Sequence, residues 1–507
     1  MLFLLTAVTA LAATTSPPTL VAPPMAPPFI VVQIGDSHTA GGYATTALGA
    51  ALLGSAPSTA SPPPVWGYVP PDSDTTSFAT ARLVGRWTKR TWLHEDGTAA
   101  GPGGRVATPG RGRAQAVLEL RATLPSSTAT PKTTTTEPGA VDGATPATNT
   151  ATTEPGAVDD GAAGSASSSM TTKTTTTADV PLLPAGGLVH VLHDPATPLP
   201  PHSLRVDDVV AAPLPLPGAA NLALQITSFS LPPGARRVVL DATGTSLRLF
   251  GWVVAAADAR VAVDAMGVVG VTAAQALLRA SPAVEDYLQW RSPDVVVVWL
   301  GTNDAVGDER ERAAFPARFE AWLQRLQRAA PGARFVVMGP PDLARRPEGC
   351  PTPPRRRKGR LAPEVVRALV CRPETLTPTN PRQAPALGLR GVRDGHDWQR
   401  WIESCGHRSW PAVATVVEQE RAIAARHGAM FFDVLGFMGG PGAMHGWACA
   451  EPPLASLDHV HLRPEGYAAV GRALGTRLGI AVAADTPWAG QAAPPARTAI
   501  TPAAVDP

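Results

Sequence analysis

Residues Asp294–Asp304 read DVVVVWLGTND. The run of valines, closed by Trp299 and Leu300, is apolar on every position and rich in β-branched residues. A strand of that kind has no face left for water, which is the pattern of a parallel sheet covered on both sides. A glycine and polar residues follow at once. Beyond them Phe315, Phe319, Trp322, Leu323 and Leu326 recur at i, i+4, i+7, i+8 and i+11, a single apolar stripe along a helix.

The same unit repeats outward in both directions. RVAVDAMG (260–267), ARFVVMG (333–339) and AMFFDVLG (429–436) are compact apolar runs of strand length, and FIVVQIG (29–35) is another far upstream. Helices are expected between them. AGGYATTALGAALL (40–53) suits one, Pro411–His427 another, stopped by Gly428 where a helix favours a glycine cap. Pro464–Leu478 is a third, with proline in its first turn. Alternation of this kind predicts an α/β fold, a doubly wound parallel sheet in a flavodoxin-like three-layer arrangement.

Between the first strand and the rest the texture differs. Leu247, Leu249, Gly251 and Val253 alternate with small or polar residues, and NLALQITSFSL (221–231) and ARRVVLDATG (235–244) read as short strands separated by turn residues. No long amphipathic helix is expected over 62–258, so this stretch reads as an inserted all-β sandwich domain. Trp87 and Trp92 within it read as core aromatics rather than a sugar-stacking platform. It is interrupted at 124–180 by a Thr/Ser/Ala/Pro/Gly-rich segment carrying TTEPGAVDG and TTEPGAVDD. That composition buries too little apolar surface to offset chain entropy and is expected to be disordered. The α/β part then comprises 29–61 and 259–482, with an Ala/Pro-rich tail at 483–507.

The 507 residues exceed what one hydrophobic core usually supports. A net charge of +2 gives no electrostatic case for a nucleic-acid partner, and the basic run Arg355–Arg360 reads as a solvated loop. Residues 1–13 form an apolar stretch of signal-peptide length, too short to span a membrane, followed by a Pro-rich leader at 14–28. Export is therefore expected, periplasmic or extracellular. Four cysteines, Cys350, Cys371, Cys405 and Cys449, lie late in the chain without C-x-x-C spacing. In an exported chain that count suggests two disulfides rather than a zinc site, with Cys350–Cys371 the favoured pair.

Four short blocks carry the chemistry: GDSH at Gly35–His38, GVVG at Gly267–Gly270, GTND at Gly301–Asp304 and DHVH at Asp458–His461. Each taken alone has an ordinary explanation, since Asp, Ser and Asn form turns and caps and glycines end strands. Together they supply every part needed for acyl transfer. Ser37 is the expected nucleophile, His461 the base and Asp458 its orienter. The backbone N–H groups of Ser37 and Gly270 and the Asn303 amide are the expected oxyanion hole. Three of the blocks directly follow expected strands, and the fourth lies between the last strand and the final helix. In an open parallel sheet the crevice lies at those carboxyl ends, where residues far apart in sequence meet. His459 and His461 have the i, i+2 spacing of a metal pair, but an extended loop points them apart, which argues against a metal there.

These blocks resemble those of the SGNH (GDSL-type) hydrolases, with Ser37, Gly270, Asn303 and His461 in the four defining positions. GDSHTAGG, LRLFGWVV before DAMGVVG, LGTNDA, MGPPD, FFDVLGFMGGPGAMHGW and LDHVHLRPEGYAAVG further resemble the peptidoglycan O-acetylesterase branch. In that branch a carbohydrate-binding-module-like β-sandwich lies between the serine and glycine blocks, where the β reading of 62–258 falls. The resemblance implies a serine esterase that removes acetyl groups from a glycan, most of all the O-acetylated muramic acid of peptidoglycan. It also implies that acetate release needs no cofactor or metal. Met438, Gly439 and Trp447 are expected substrate contacts, and His38 is expected either to line the crevice as a further contact or to make a structural hydrogen bond; no nucleic-acid partner and no stable membrane insertion are expected. The same parts fit three alternatives: an O-acetyltransferase to a glycan hydroxyl, a general SGNH lipase or esterase, and a non-catalytic wall-glycan-binding protein. The sequence assigns no oligomeric state.

Overall fold

The computed structural model describes residues 28–53, 66–73, 78–91, 102–103, 105–120, 183, 185–214, 223–279, 281–347, 350, 363–372 and 395–479. The expected signal peptide, most of the leader, the Thr-rich segment, Arg355–Arg360, Trp92 and the tail lie outside the described residues.

Five strands form a parallel sheet. They are β1 (Phe29–Gly35), β11 (Val261–Gly267), β12 (Val295–Trp299), β13 (Arg334–Met338) and β16 (Met430–Phe432), in spatial order β11-β1-β12-β13-β16. This is the doubly wound arrangement expected. All five residues of β12 are buried, because helices cover both faces and leave no edge of the central strand in water. On one face lies α6 (Glu309–Ala329), started by a reciprocal capping box between Asp308 and Glu311. Its stripe Phe315, Phe319, Trp322, Leu323 and Leu326 is at most 1% exposed. Each such burial contributes about 1.5–3 kcal/mol, so the stripe and not local propensity holds the helix in place.

On the other face α2 (Tyr43–Leu52) packs against α12 (Pro464–Leu478), the final helix, over Leu48, Leu52, Val470 and Leu474. The two axes approach closely at Gly471, where a Cβ would stand 2.2 Å from the Ala44 carbonyl oxygen. This pairing carries the residues just before α12 back to the end of β1.

The intervening region builds a nine-stranded sheet. Its strands are β2 (Tyr68–Val69), β3 (Ala79–Thr91), β4 (Arg105–Leu120), β5 (Gly187–His193), β6 (Leu204–Val206), β7 (Val209–Val210), β8 (Gln225–Leu231), β9 (Arg237–Asp241) and β10 (Leu249–Ala256). The described residues here hold strands and turns without a helix, as the alternating pattern predicts. The strands are hydrogen-bonded into one sheet, order β7-β6-β9-β4-β10-β5-β8, with β2 on β10 and β3 on β4. One side buries Trp252, Leu118, Val191 and Leu249 in a core of its own; Tyr68, Leu192, Phe250 and Val253 enter the core that also holds Trp322 and Val298. Trp87 packs against the β core and donates its indole N–H to the Val84 carbonyl.

A buried ion pair ties the parts together. Asp264 on β11 is fully buried and accepts from the Tyr68 backbone N–H, from Tyr287 Oη and from Arg291 Nε, each at 2.8 Å. Tyr287 and Arg291 come from α4 (Ser281–Arg291). Arg291→Met leaves that carboxylate without its counter-charge and is expected to cost about 3–5 kcal/mol of folding stability. Urea unfolding would measure it; a loss below about 1 kcal/mol would show the pair to be dispensable.

Candidate active site

The chain reverses direction through the sheet between β1 and β12, and the ends of these two strands bound the crevice of such folds. Asp36, at the end of β1, donates its N–H to the Trp299 carbonyl at 3.1 Å and caps the short helix α1 (Ser37–Ala40), its Oδ1 accepting the His38 N–H at 2.9 Å. Ser37 therefore stands in a first helical turn, where the backbone N–H has no intrahelical acceptor.

The Asp458–His461 block is a tight turn in which one carboxylate does two jobs. Asp458 Oδ1 accepts the backbone N–H groups of Val460 (2.9 Å) and His461 (3.0 Å), which shapes the turn. Oδ2 is left to pair with His461 Nδ1 at 2.9 Å, and His461 Nε2 lies 3.1 Å from Ser37 Oγ, across 424 positions of sequence. The carboxylate holds the imidazole proton at Nδ1, so Nε2 is free to accept the Ser37 hydroxyl proton.

The electrostatics agree with that division. The Asp458 hydrogen bond raises the His461 pKa; burial opposes it, and the charges of Asp458 and Asp36 add to the rise. Burial would raise Asp458, but hydrogen bonds from the His461 ring and from the backbone N–H groups of His461 and Val460 outweigh it and bring it to about 2. The carboxylate is thus ionised across the working range while the imidazole titrates above its ordinary value of about 6.5. A base must be neutral, so activity should fall as pH drops through the raised His461 pKa. Asp458→Asn removes the chief raising cause; the acidic limb should move to lower pH while kcat falls about 10²–10⁴-fold. A kcat/KM profile checks both, and an unmoved limb would separate Asp458 from the titration.

The other expected site residues are placed as follows. Gly270 ends the turn after β11, exposed and at φ +80°, a backbone conformation that a side chain would strain. Among the described residues its N–H makes no turn or loop hydrogen bond to backbone, while Val268 N–H, two residues earlier, bonds to Gly35 O at 2.9 Å and brings this turn beside the end of β1. Asn303 sits in α5 (Thr302–Val306) after β12. Its Nδ2 donates to the Val271 carbonyl at 3.0 Å and, more loosely, to Asp36 Oδ2 at 3.4 Å, so its amide links the glycine turn to the serine turn.

His38 is 1% exposed, stacked on Trp299 and bonded through Nδ1 to Tyr467 Oη at 3.0 Å. Burial, with the neighbouring His461, lowers its pKa to about 3. The Trp299 and Tyr467 rings enclose it, and the bond to Tyr467 is a structural hydrogen bond of the kind expected as one of its two roles. Met438 is likewise buried and presents its backbone carbonyl to Trp447 Nε1 at 3.1 Å. Gly439, exposed, caps α10 (Val434–Met438), and half-buried Trp447 lies on α11 (Ala443–Cys449), edge-on to the exposed Phe437.

Several residues behind the site escaped sequence reading. Asp36 is fully buried, and burial, partly offset by the His38 N–H, lifts its carboxyl to about 7. Asp304 accepts the Ala273 N–H and is lifted by burial to about 6; Glu420 is buried with both oxygens unpartnered and held well above the carboxylate range. Asp342, fully buried, receives Ser409 Oγ at 2.6 Å and the N–H groups of Gly442 (3.1 Å) and Met444 (2.9 Å), which anchors the MGGPG turn. The MGPPD block was its only signal.

The disulfide expectation needs correcting. Cys350 pairs with Cys405 and Cys371 with Cys449, at Cα separations of 5.6 and 5.4 Å. The physical reason is helix packing: α7 (Pro363–Cys371) lies against α11, which sets Cys371 opposite Cys449, and α8 (Gly395–Ser404) delivers Cys405 to Cys350.

Residues 234–374 match the model of the GDSL-like lipase/acylhydrolase family, a span that holds Gly270 and Asn303 but neither Ser37 nor the Asp458–His461 block. No curated protein sequence matches the chain. Among solved structures, that of a peptidoglycan O-acetylesterase is 18% identical and covers 89% of this chain and 91% of its own, with a TM-score of 0.50. An acetyl xylan esterase covers 43% of this chain and 82% of its own at 15% identity and a TM-score of 0.24. A lipase/acylhydrolase from Enterococcus faecalis covers 43% and 75% at 14% identity and 0.23. The stretch 234–374 thus resembles the GDSL-like acylhydrolases, and the fold is shared with the peptidoglycan O-acetylesterase structure along most of the chain.

Proposed function

We propose that this protein is a serine esterase that removes O-acetyl groups from a carbohydrate, with the muramic acid O-acetyl of peptidoglycan as its substrate. The observation that carries the reading is the hydrogen-bonded chain Asp458–His461–Ser37, at 2.9 and 3.1 Å. Ser37 Oγ attacks the acetyl carbonyl as its proton passes to His461 Nε2. The C–O bond to the sugar then breaks, and the sugar oxygen leaves with that proton. Water, deprotonated by the same imidazole, attacks acetyl-Ser37 and releases acetate with the serine restored. The Ser37 and Gly270 N–H groups receive the oxyanion. Asn303 joins them by exchanging its long 3.4 Å bond to Asp36 for the developing charge.

The glycan assignment draws on the sequence blocks of the acetylesterase branch and on the shared fold of the matched peptidoglycan O-acetylesterase. The stretch 62–258 acts, in this reading, as a glycan-presenting domain inserted into the hydrolase at 29–61 and 259–482. Met438 and Gly439 shape the sugar site through the turn they form, and Trp447 with Phe437 offers it an aromatic face. Two disulfides, the apolar N-terminal run and the lack, among the described residues, of a helix fit to cross a membrane support export.

Acetate released from O-acetylated peptidoglycan and from acetylated xylan, with and without a glycan acceptor, tests the substrate. Preferential release from peptidoglycan supports the proposal. Preference for xylan overturns the substrate, acetyl transfer to the acceptor overturns hydrolysis in favour of transfer, and activity on long acyl chains points to a general lipase.

A further inference from the structure

His459 is the residue of the catalytic turn that the esterase reading leaves without a task. It has a left-handed backbone (φ +58°), it is 1% exposed, and its ring turns away from His461. It turns toward two other imidazoles. His445, on α11, places Nδ1 3.1 Å from His459 Nε2, and the His407 ring is stacked on that of His459 with centroids 3.7 Å apart. One nitrogen from each of the three lies within 4.8 Å of the others.

We propose that His407, His445 and His459 form a binding site for one divalent transition-metal cation, with Zn²⁺ the cation it suits best. This inference stands apart from the esterase reading, since none of the three takes part in the acyl chemistry proposed above.

Three arguments carry it. The first is the donor set. Three imidazoles without a carboxylate select Zn²⁺ and its transition-metal neighbours over Mg²⁺ or Ca²⁺, which require oxygen ligands. Tetrahedral coordination at the usual Zn–N length separates ligand nitrogens by about 3.3 Å, near the 3.1 Å between His445 and His459. Rotation of the His407 side chain brings in the third and leaves a fourth position for water.

The second argument is the orientation of His459. Its Nδ1 bonds to the Leu457 carbonyl at 3.0 Å, which places the ring proton there and aims Nε2 at the cluster. A ligating histidine commonly donates its far N–H to a backbone carbonyl in just this way.

The third argument is that covalent and backbone links hold the three segments in place. His407 follows Cys405, bridged to Cys350, and His445 lies one turn before Cys449, bridged to Cys371. Strand β14 (Ala344–Arg345) pairs with β15 (Arg408–Ser409), next to His407, and the Ala344 N–H bonds to the His459 carbonyl at 3.0 Å. Arg346 is the nearby opposing charge. Its Nη1 donates to the Cys405 carbonyl at 3.2 Å and its guanidinium stacks over Trp401 at 4.5 Å, and its charge lowers the affinity for a dication. A bound cation would fasten the Asp458–His461 turn to α11 and to the β15 segment.

The test uses the untagged, chelator-treated full chain. Calorimetric titration with Zn²⁺ should give one site per chain, and Co²⁺ should produce the visible absorption of an imidazole-bound ion. His407→Ala and His445→Gln should each weaken Zn²⁺ binding by more than about 100-fold and abolish the Zn²⁺-dependent rise in Tm. Absence of stoichiometric Zn²⁺ binding and of a Co²⁺ spectrum in the wild type overturns the proposal without recourse to any variant. Binding that survives both substitutions overturns it as well, because the ion would then sit elsewhere, such as at His461.

Discussion

Ser37→Ala should lower turnover of a small acetyl ester such as p-nitrophenyl acetate by about 10⁴–10⁶-fold. The substitution removes the oxygen placed 3.1 Å from His461 Nε2, and among the described residues no other hydroxyl is hydrogen-bonded to that nitrogen. What survives is attack by water assisted by the oxyanion donors, worth about 10³–10⁴ over the uncatalysed reaction. Folding should be unaffected, because Asp36 caps α1 through its own carboxylate and does not use the serine side chain. Steady-state kinetics together with Tm would separate the two effects. Near-normal turnover in a folded variant would remove Ser37 from the chemistry.

His461→Ala should be comparably severe, about 10⁴-fold or more. The imidazole takes the serine proton, returns it to the leaving alcohol and activates the water of the second step, so both half-reactions fail together. Two further readouts distinguish this from a packing defect. The acidic limb of the pH profile should vanish with the group that causes it. The Ser37→Ala/His461→Ala double variant should be no worse than either single variant, because residues acting as one unit are not additive. Additive losses would assign the two side chains to independent steps.

The elements that sequence read well are those where one physical demand dominates. The all-apolar Val295–Trp299 run requires cover on both faces, and the Phe315–Leu326 stripe requires a partner on one. Together they dictate the doubly wound sheet, and Ser37, Asp458 and His461, expected together from motif and position, lie within hydrogen-bond distance of one another in the order Asp458–His461–Ser37. What escaped depends on three-dimensional proximity without a local signature. Asp36 reads as a turn residue, and only the burial of the strand end makes its carboxyl unusual. Asp304 stands in the GTND block and Glu420 in an expected helix, and their burial comes from the packing of α5 against α9 (Pro411–Arg426). The cysteine pairing follows from α7 meeting α11, and nothing in the spacing of four cysteines encodes that contact. His407, His445 and His459 are dispersed over 53 positions and meet where two bridged segments and the Ala344-bonded turn come together. His38, beside the nucleophile in sequence, is enclosed by the Trp299 and Tyr467 rings, a contact that its sequence position does not encode.

The central claim is that acyl transfer passes through Ser37. Rapid quenching of the enzyme with an excess of an activated acetyl ester, followed by proteolysis and mass spectrometry, tests it most directly. The account requires one acetyl group on the peptide that contains Ser37, formed at a rate no slower than turnover and absent in Ser37→Ala. Turnover without any acetylated Ser37 peptide, or acetylation at another residue with matching kinetics, would contradict it.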